Sequence, residues 1–519
     1  MNTHLLLTLP IAIPLVALAL CAVLHRSPMA QRMVSVVASV LLLVAAIALL
    51  AAVYDGTVLA TQFGAWDSPF GITFVADLLS AAMVLIAGLM AVAVGVFGLV
   101  DGARQREHAL FHPLYHGLLL GVTGAFLTGD IFNLYVWFEI MLISSFGLLV
   151  AGGTREQLDA GIRYVTLNLV ATTLLLIAVG FLYGITGTLN MADLARVLPL
   201  VDNQGLVTTI GVMFLLAFGS KAALFPLFFW LPASYHTASA PVMAIFAALL
   251  TKVGVYALLR TFTLLFVGGA GWTGPIIGAV AGLTMITGVL GAAAHFDVRR
   301  ILSFHIISQI GYMLVGLAVA TPLALAGSIL YVVHHIVVKA NLFLIAGAMR
   351  LAGGSFDLKH IGGLHRSAPW LALLFLIPAL SLAGVPPFSG FWAKFIVVKS
   401  SFDEGHWVLG GVALGVGLLT LYSMVKIWNE AFWKAPTELS RDAAPLWQAA
   451  SRTRAAMLVP IAGLAAITLT IGLAAGPFVD YSMRAANQLL APAAYLQAVL
   501  GDADAGLARA PGRTHVAHP

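Results

Sequence analysis

The chain has 519 residues, of which 61% are hydrophobic and 9% are charged, and its formal net charge is +5. Its mean hydropathy is +1.00. Too few polar residues remain to cover a water-exposed surface, so the composition excludes a soluble globular protein and predicts an integral membrane protein. The single cysteine, Cys21, excludes a disulfide framework.

Long apolar runs follow one another along almost the whole chain. A bilayer core about 30 Å thick needs roughly 20 apolar residues per helix, and the runs of this length predict an all-α integral membrane protein with about 14 transmembrane helices. The longest polar stretches are only about 20 residues, which excludes a second soluble domain. The predicted helices, numbered 1 to 14, cover residues 4–24, 31–53, 75–100, 110–127, 130–152, 162–185, 206–236, 241–266, 274–294, 301–319, 323–350, 368–400, 406–432 and 455–479.

The basic residues indicate how the chain crosses the membrane. The first run has no basic residue before it and Arg26 after it, which is typical of a membrane helix rather than a cleaved signal peptide. Loops after even-numbered predicted helices hold only Arg196 and Lys399. The positive-inside bias therefore predicts that both termini are extracytoplasmic in the inner (plasma) membrane, and the net charge gives no indication of nucleic acid binding. The basic residues that follow odd-numbered predicted helices are Arg26, Arg32, Arg104, Arg106, Arg155, Arg163, Arg299, Arg300, Arg350, Lys359, Arg366, Lys434, Arg441, Arg452 and Arg454.

Five ionisable side chains lie in the middle of predicted helices, each about half a helix from a boundary. An ionisable group near the bilayer centre costs several kcal/mol. A single such lysine could reach the interface or form a structural ion pair. Five of them cannot all do so, and the set predicts a path for protons or ions. These residues are Glu139, Lys221, Lys252, Lys339 and Lys394.

Predicted helix 11 adds a regular spacing to this pattern. Tyr331, His335 and Lys339 are at i, i+4 and i+8, so they share one stripe, and His334 is about 100° away around the helix. Imidazole titrates near neutrality and burial favours the uncharged amine, so the stripe indicates a proton relay. A metal or haem site, or packing alone, is the alternative. The helix has no HExxH motif, cysteine or carboxylate, so we expect neither a metal nor another cofactor.

Two weaker signals accompany the relay. In predicted helix 10, His305, Gln309 and Tyr312 share a stripe with Ser308 beside it. They could hydrate the same channel or simply hydrogen-bond between helices. His236 precedes the turn ASAP and either faces water at the cytoplasmic mouth or belongs to the turn.

Prolines interrupt two predicted helices close to a lysine. Pro226 interrupts helix 7 near Lys221, and Pro386 and Pro387 interrupt helix 12 near Lys394. Proline kinks are common in membrane helices, but paired breaks in corresponding positions indicate an inverted-repeat transporter whose unwound backbone lines a cavity. We therefore predict discontinuous helices 7 and 12 within two inverted five-helix repeats, helices 4–8 and helices 9–13. The predicted divisions are 1–100 (helices 1–3), 101–266 (first repeat), 267–433 (second repeat), 434–480 (loop and helix 14) and 481–519 (an extracytoplasmic tail, partly disordered).

Other charges outside this set are predicted to be structural. Asp77 opens predicted helix 3, where a carboxylate normally caps the helix or lies at the interface. Lys426 and Glu430 are at i and i+4 at the end of predicted helix 13, which predicts an ordinary ion pair.

A series of motifs resembles one known family. GSKAALFPLFFWLPASYHTASAPV, AALLTKVGVYALLR, DVRRILSFHIISQIGYM and HHIVVKANLFLIAG occur in the order found in the antiporter-like subunits of respiratory complex I and in Mrp-type cation/proton antiporters. The resemblance extends from about residue 75 to residue 430. Within this family, Lys394 and a length near 500 residues resemble the Mrp D subunits.

The resemblance implies roles for the buried residues. It implies that Glu139 pairs with Lys221, and that His335 connects the two halves of a proton path. It also implies that this chain is the proton-translocating subunit of a sodium or potassium/proton antiporter. The implied path runs along Lys221, Lys252, His335, Lys339 and Lys394.

The implied partners are a large A-like subunit, small membrane subunits, protons, Na⁺ or K⁺, and the lipid bilayer. The alternative is a proton-pumping subunit of NADH:quinone oxidoreductase or of a membrane-bound hydrogenase. In either case we expect no enzyme chemistry within this chain, because one cysteine cannot hold an iron–sulfur cluster. An intramembrane enzyme would need a nucleophile or a metal set that the sequence does not offer.

Overall fold

A computed structural model describes residues 2–102, 110–267 and 270–501. Arg104 and Arg106, two of the basic residues used to predict the orientation, lie outside the described residues, as does the predicted tail beyond residue 501. The α-helices are α1 (Thr3–Val23), α2 (Pro28–Val53), α3 (Leu78–Gly102), α4 (Phe111–Leu127), α5 (Ile131–Val150), α6 (Arg155–Thr186), α7 (Met191–Val197), α8 (Gln204–Ala222), α9 (Trp230–Ser234), α10 (Ala240–Ile245), α11 (Thr251–Leu264), α12 (Ala270–Ala294), α13 (Val298–Val319), α14 (Pro322–Gly353), α15 (Leu364–Ser367), α16 (Pro369–Ala383), α17 (Ser389–Asp403), α18 (Trp407–Ile427), α19 (Glu438–Ala449), α20 (Ser451–Leu473), α21 (Ala475–Leu490) and α22 (Ala493–Leu500).

Within the described ranges, twelve helices are long and apolar enough to cross a membrane. Two of the predicted helices do not meet this length. The helix predicted over 110–127 is α4, which has 17 residues, and the helix predicted over 368–400 is divided into α16 and α17 of 15 residues each. The all-α, multi-pass membrane fold is confirmed.

The connections separate into two groups on opposite faces of the molecule. On one face, strands β1 (Leu59–Gln62) and β2 (Thr73–Ala76) form an antiparallel hairpin. This hairpin receives a hydrogen bond from Gly129 N to the carbonyl of Thr73 (2.8 Å) and another from Asn190 Nδ2 to Thr73 Oγ1 (2.9 Å). The loops that follow predicted helices 2, 4 and 6 therefore meet on this face, which we call the hairpin face.

The opposite face gathers loops that follow odd-numbered predicted helices. Gln157 Nε2 donates to the carbonyl of Thr237 (3.2 Å), and Val298 N donates to the carbonyl of Phe356 (3.0 Å). Arg299, Arg300 and Arg350 belong to this face, which we call the arginine face.

Burial distinguishes central helices from lipid-facing ones. Every residue of α11 is buried, and nearly all of α13 and α14 are buried as well. By contrast, α1, α2, α6 and α20 leave large apolar side chains such as Val37 and Val459 exposed, as expected for helices in contact with lipid. Lys252 on α11, His305 on α13, and His335 and Lys339 on α14 therefore lie in the centre of the protein, away from the lipid.

The first predicted break lies just after α8. Ala223 has a left-handed backbone (φ +63°), and its N–H bonds back into the last turn of α8. The N–H of Leu224 then bonds to the carbonyl of Gly219 (2.9 Å), which is the pattern of a Schellman helix end. A cis peptide bond joins Phe225 to Pro226. Since proline offers no N–H, the chain does not resume a helix until α9.

The second break has the same construction. Gly384 has φ +90°, its N–H bonds into the last turn of α16, and Val385 N donates to the carbonyl of Leu380 (3.0 Å). A cis peptide bond joins Pro386 to Pro387. In both breaks a proline follows the left-handed residue by three positions. Pro387 in the second break therefore corresponds to Pro226 in the first. Predicted helices 7 and 12 are therefore discontinuous, as expected.

Candidate functional site

Lys221 lies in the last turn of α8, two residues before the left-handed cap, and it is 7% exposed. Its ammonium donates to the backbone carbonyl of Asn168 (3.3 Å) and to the Asn168 side-chain oxygen (3.4 Å). It also lies 5.9 Å from the ring centroid of Phe138. The unwound end of α8 therefore delivers the amine to the neighbouring helices α5 and α6.

Glu139 is beside Lys221 but does not bind it. The two groups are close enough to interact electrostatically. No direct ion pair joins them in the described chain, and the pairing of Glu139 with Lys221 stays a prediction. Asn168 holds the ammonium instead, and Glu139 Oε1 is buried with no protein hydrogen-bond partner.

Lys252 is fully buried at the start of α11. The preceding residues, Phe246–Leu250, form a π-helical turn, and the ammonium bends back to the carbonyl of Ala247 within it. Such turns are rare and are often found at functional sites. Nearby, Gly254 allows α11 to approach the break: an added Cβ would lie 2.6 Å from the backbone nitrogen of Ala222. The segment after Lys221 is thus in backbone contact with the helix that carries Lys252.

His335 and Lys339 continue the series on α14, where both are fully buried. Lys339 donates to the backbone carbonyl of Leu302 on α13 (3.2 Å). Neither ring nitrogen of His335 has a protein hydrogen-bond partner. Lys252 interacts electrostatically with both residues. The predicted connecting residues therefore lie close together, where the π-helical turn before α11 packs against α14, and their role in joining the two halves stays a prediction.

Lys394 lies in the second turn of α17 and is 8% exposed. Its ammonium donates to the carbonyl of Ala383, the last residue of α16 (3.1 Å), and lies 4.9 Å from the ring centroid of Tyr312. The side chain thus spans the second break. Lys339 and Lys394 are within electrostatic range of each other.

The polar stripe of α13 borders the same region. His305 is fully buried, neither of its nitrogens has a protein partner, and it interacts electrostatically with Lys394. Gln309 accepts a hydrogen bond from Tyr331, whose ring stacks on that of Tyr312 (5.1 Å between centroids, 6° between planes). His305, Gln309 and Tyr312 are thus placed near Lys394 and Tyr331, and their role in hydrating the path stays a prediction.

Ser308 does not join this group. Its hydroxyl donates to the backbone carbonyl of Met285 on α12 (3.0 Å), and the backbone at Ser308 packs against Gly288. The structure therefore places Ser308 in the packing of α12 on α13, although the Gln309 amide reaches its Oγ at 3.5 Å.

Two serines that the sequence analysis missed connect His334 to the second break. His334 Nδ1 lies 2.8 Å from Ser389 Oγ, and Ser389 Oγ lies 2.9 Å from Ser381 Oγ. Gly390 N donates to Ser381 Oγ (3.2 Å). Ser381 precedes the break and Ser389 follows it. Their position in the sequence, on both sides of the predicted break, could have identified them as candidate site residues.

Seven buried nitrogen and oxygen atoms near these lysines lack a protein hydrogen-bond partner within the described ranges. An unpaired buried polar group costs roughly 1–3 kcal/mol, so buried polar groups of this kind are normally paired or hydrated. Their concentration beside the lysines indicates a hydrated seam. The atoms are Glu139 Oε1, Thr251 Oγ1, His334 Nε2, both ring nitrogens of His305 and both of His335. We call Lys221, Lys252, His335, Lys339 and Lys394 the buried polar row.

Two further predictions concern charges outside the row. His236 Nδ1 lies 3.0 Å from the carbonyl of Pro232, and its Nε2 lies 3.3 Å from Arg300, so it joins its own turn to α13 on the arginine face. The predicted pair of Lys426 with Glu430 is wrong. The amine instead donates to two backbone carbonyls at the end of α12 (2.8 and 2.7 Å).

Glu430 pairs with Lys434 instead (2.8 Å). Glu430 lies in a π-helical segment, Trp428–Trp433, which the sequence analysis treated as a regular helix. The carbonyls at the end of α12 satisfy the Lys426 amine, which leaves Glu430 to Lys434.

Asp77 caps α3 as predicted, because its carboxylate accepts the N–H of Ser80 (2.9 Å). It also forms a buried ion pair with Arg260 on α11 (2.6 Å) that the sequence analysis missed.

Comparison with known proteins agrees with this geometry. Residues 128–420 match the family model described as NADH:quinone oxidoreductase/Mrp antiporter, TM. The chain is 46% identical over 495 residues to the D subunit of the Na(+)/H(+) antiporter of Alkalihalophilus pseudofirmus OF4, which covers 95% of this chain and 99% of the relative. The chain belongs to the family of Mrp antiporter D subunits. The corresponding protein of Bacillus subtilis 168 is 39% identical, with 95% of this chain and 98% of the relative covered.

Solved structures show the same relationship. The chain is similar to one chain of the Mrp complex from Dietzia sp. DQ12-45-1b, with a TM-score of 0.88, 34% identity, and coverage of 96% of this chain and 100% of that chain. It is also similar to a chain of the membrane-bound sulfane sulfur reductase, an archaeal respiratory membrane complex (TM-score 0.86, 25% identity, 96% and 99% covered). The resemblance stated from the motifs is confirmed at the level of the family.

Proposed function

We propose that this chain is the proton-translocating membrane subunit of a multisubunit monovalent cation/proton antiporter. The observation that carries the proposal is the buried polar row, whose members lie in or beside two broken helices and two largely buried central helices. Because relatives of 46% and 39% identity are named Na(+)/H(+) antiporter subunits, sodium is the first cation to test.

In the first half of the row, the Lys221 amine changes partner between Asn168 and Glu139. An ammonium removed from water is disfavoured and releases its proton more readily, whereas a nearby carboxylate favours the charged form. In the present geometry the Lys221 amine rests on neutral acceptors of Asn168. Approach of Glu139 to the amine would favour uptake of a proton, and its withdrawal would favour release.

The central members pass the proton between the two halves. An imidazole accepts a proton on one nitrogen and donates from the other, and both nitrogens of His335 are free of protein partners. Lys252 and Lys339 are both within electrostatic range of this ring and would be its two exchange partners. Lys394 ends the row at the second break. The transfer needs no covalent chemistry.

The two breaks support the proposed inverted repeats, 101–266 and 267–433. In each break a proline follows the left-handed cap by three residues, which supports corresponding positions in the two repeats, within the wider division of 1–100, 434–480 and 481–519. The lysines differ in one respect, since Lys221 precedes its break and Lys394 follows its own. The Lys394 side chain compensates by reaching back to the end of α16.

The orientation and the partners complete the proposal. The arginine face would be cytoplasmic by the positive-inside rule, which places both termini outside the plasma membrane. The exchanged cation would be handled jointly with other subunits of the complex. The respiratory alternative is supported by the family model, which NADH:quinone oxidoreductase shares, and by the structural likeness to the sulfur reductase complex. The antiporter is favoured because the curated relatives of 46% and 39% identity are named as antiporter subunits.

The test uses the purified complex reconstituted in liposomes, with internal pH followed after a sodium or potassium gradient is imposed. We expect Lys221→Ala, Glu139→Ala and Lys394→Ala each to abolish cation-dependent proton movement while the complex still assembles. Lys399→Ala is the matched control, because Lys399 lies on the same helix as Lys394 but forms an exposed pair with Asp403. Normal proton movement in the Lys221 variant would exclude the role proposed for that residue.

A further inference from the structure

A second stripe begins at Lys252 and runs toward the hairpin face. Lys252, Tyr256 and Arg260 are at i, i+4 and i+8 on α11, so they share one side of the helix. At 1.5 Å per residue, Arg260 lies about 12 Å along the helix axis from Lys252. Arg260 is only 5% exposed, although arginine is among the side chains least often buried.

The guanidinium of Arg260 is fixed from several sides. One nitrogen forms the ion pair with Asp77 at the start of α3 (2.6 Å), and another donates to the hydroxyl of Tyr256 (3.3 Å). The guanidinium carbon also lies 5.3 Å from the ring centroid of Tyr495 on α22. Asp77 is fixed in turn by the N–H of Ser80 (2.9 Å).

The surroundings of this pair are closed by further hydrogen bonds. Tyr256 donates to the carbonyl of Phe126 (2.8 Å), which ties α11 to α4. From α21, Tyr481 donates to the carbonyl of Leu78 (2.5 Å), and Gln488 accepts the N–H of Leu78 (2.9 Å). The helix that follows the last predicted membrane helix thus covers the pair on the hairpin face.

The surroundings of Arg260 differ from the buried polar row in how completely their polar groups are hydrogen-bonded. Along the row, the ring nitrogens of His305 and His335 have no protein partner, which indicates water. Around Arg260, the carboxylate, guanidinium and phenol groups are paired with each other or with backbone. We therefore infer that the buried polar row is hydrated and that the surroundings of Arg260 exclude water.

We propose that Arg260, held by Asp77, is an electrostatic barrier that keeps a proton on Lys252 from leaving directly to the hairpin face. The proton is then directed along the row toward Lys339. Arginine is suited to this task because it keeps its charge under all relevant conditions, and a fixed positive charge in a narrow dry region excludes protons and cations. This inference rests on the proposed proton path and adds to it a residue that sets the direction of transfer.

The expected size of the barrier follows from the separation of the charges. The Asp77 carboxylate beside the guanidinium offsets part of its charge. The figure for two isolated unit charges about 12 Å apart at an effective dielectric constant of about 20, about tenfold in population, is therefore an upper bound. Loss of the pair should raise passive proton leak by up to about tenfold.

The experiment measures leak in liposomes that contain the whole complex, in choline buffer without sodium or potassium. The external solution is acidified in one step, and the resulting fall of internal pH is recorded. A lipophilic cation balances the charge carried by the protons that enter. The main variant is Asp77→Asn with Arg260→Met, because removing both charges together avoids an unpaired buried charge. The matched control is Asp193→Asn with Arg196→Met, which removes a partly exposed pair (2.8 Å) on the same face.

A third variant, Arg260→Lys, places another cation beside Asp77, whose carboxylate favours the charged form of the amine, and changes the packing. We expect leak up to about tenfold faster in the main double variant, and leak like that of the wild type in Arg260→Lys and in the control. Leak at the wild-type rate in an assembled main variant would overturn the proposal. So would equally fast leak in Arg260→Lys, because packing rather than charge would then be responsible. Sodium-driven proton movement in the same liposomes tests the proposed function separately, since a failure there does not alter the leak comparison.

Discussion

The contact between the first break and α11 offers a sharp structural test at Gly254. An added Cβ would lie 2.6 Å from the backbone nitrogen and 3.0 Å from the Cα of Ala222, and 3.0 Å from the carbonyl carbon of Lys221. These atoms are backbone, so no side chain can turn away to relieve the clash. Since ordinary contacts are about 3.5–4.0 Å, Gly254→Ala should separate α8 from α11 by about 1 Å.

This displacement acts on both stability and transport. Overpacking of this kind costs about 1–3 kcal/mol. Proton transfer depends on hydrogen-bond distances, and a misplacement of about 1 Å can cost about 100-fold in rate, so transfer from Lys221 to Lys252 should be at least about tenfold slower. Gly180→Ala on α6 is the matched control, because nothing lies within 4 Å of its added Cβ. There alanine should be neutral or stabilise by about 0.5–1 kcal/mol.

The assay is sodium-driven proton movement in liposomes, normalised to assembled complex and accompanied by thermal unfolding. We expect a large loss of rate for Gly254→Ala and none for Gly180→Ala. Transport at the wild-type rate in assembled Gly254→Ala, or equal losses in the two variants, would refute the reasoning that this backbone contact positions the two lysines.

Three further predictions concern individual side chains. Lys339→Met removes the charge at nearly constant length, and we expect no cation-dependent proton movement from an assembled complex; normal movement would contradict the row. Asn168→Leu removes the side-chain acceptor of the Lys221 ammonium, and we expect slower transport with a changed pH dependence; an unchanged pH profile of the rate would exclude Asn168 as a resting position. Lys426→Ala removes two hydrogen bonds to α12, so thermal unfolding should show a loss of about 1–3 kcal/mol while transport stays within twofold; loss of transport by an assembled complex would show that this amine belongs to the path.

Much of the architecture could be predicted from the sequence because membrane burial is a one-dimensional constraint. Apolar runs of helical length, and the lysines that interrupt them, are local features of the chain. The prolines at residues 226 and 387 likewise marked both breaks correctly. The local cap at Ala223 could not be predicted, since a left-handed alanine is unusual and depends on its surroundings.

Pairings between distant elements were harder to predict. Residue types suggested a contact between Glu139 and Lys221, but rotamers and neighbours decide which acceptor an amine reaches, and Asn168 was not considered. The pair of Asp77 with Arg260 joins α3 to α11 without any shared local pattern. The i+8 spacing of Arg260 from Lys252 was visible in the sequence, but only the structure shows that the guanidinium is buried.

The central claim is that water and ionisable side chains form one continuous path through the middle of this protein. The most direct test is an electron cryomicroscopy map of the assembled complex at a resolution that shows ordered water. We expect water within hydrogen-bond distance of both ring nitrogens of His335 and His305, linking Lys252 to Lys339. A map in which these nitrogens contact only carbon atoms, with no water between the two lysines, would contradict the account.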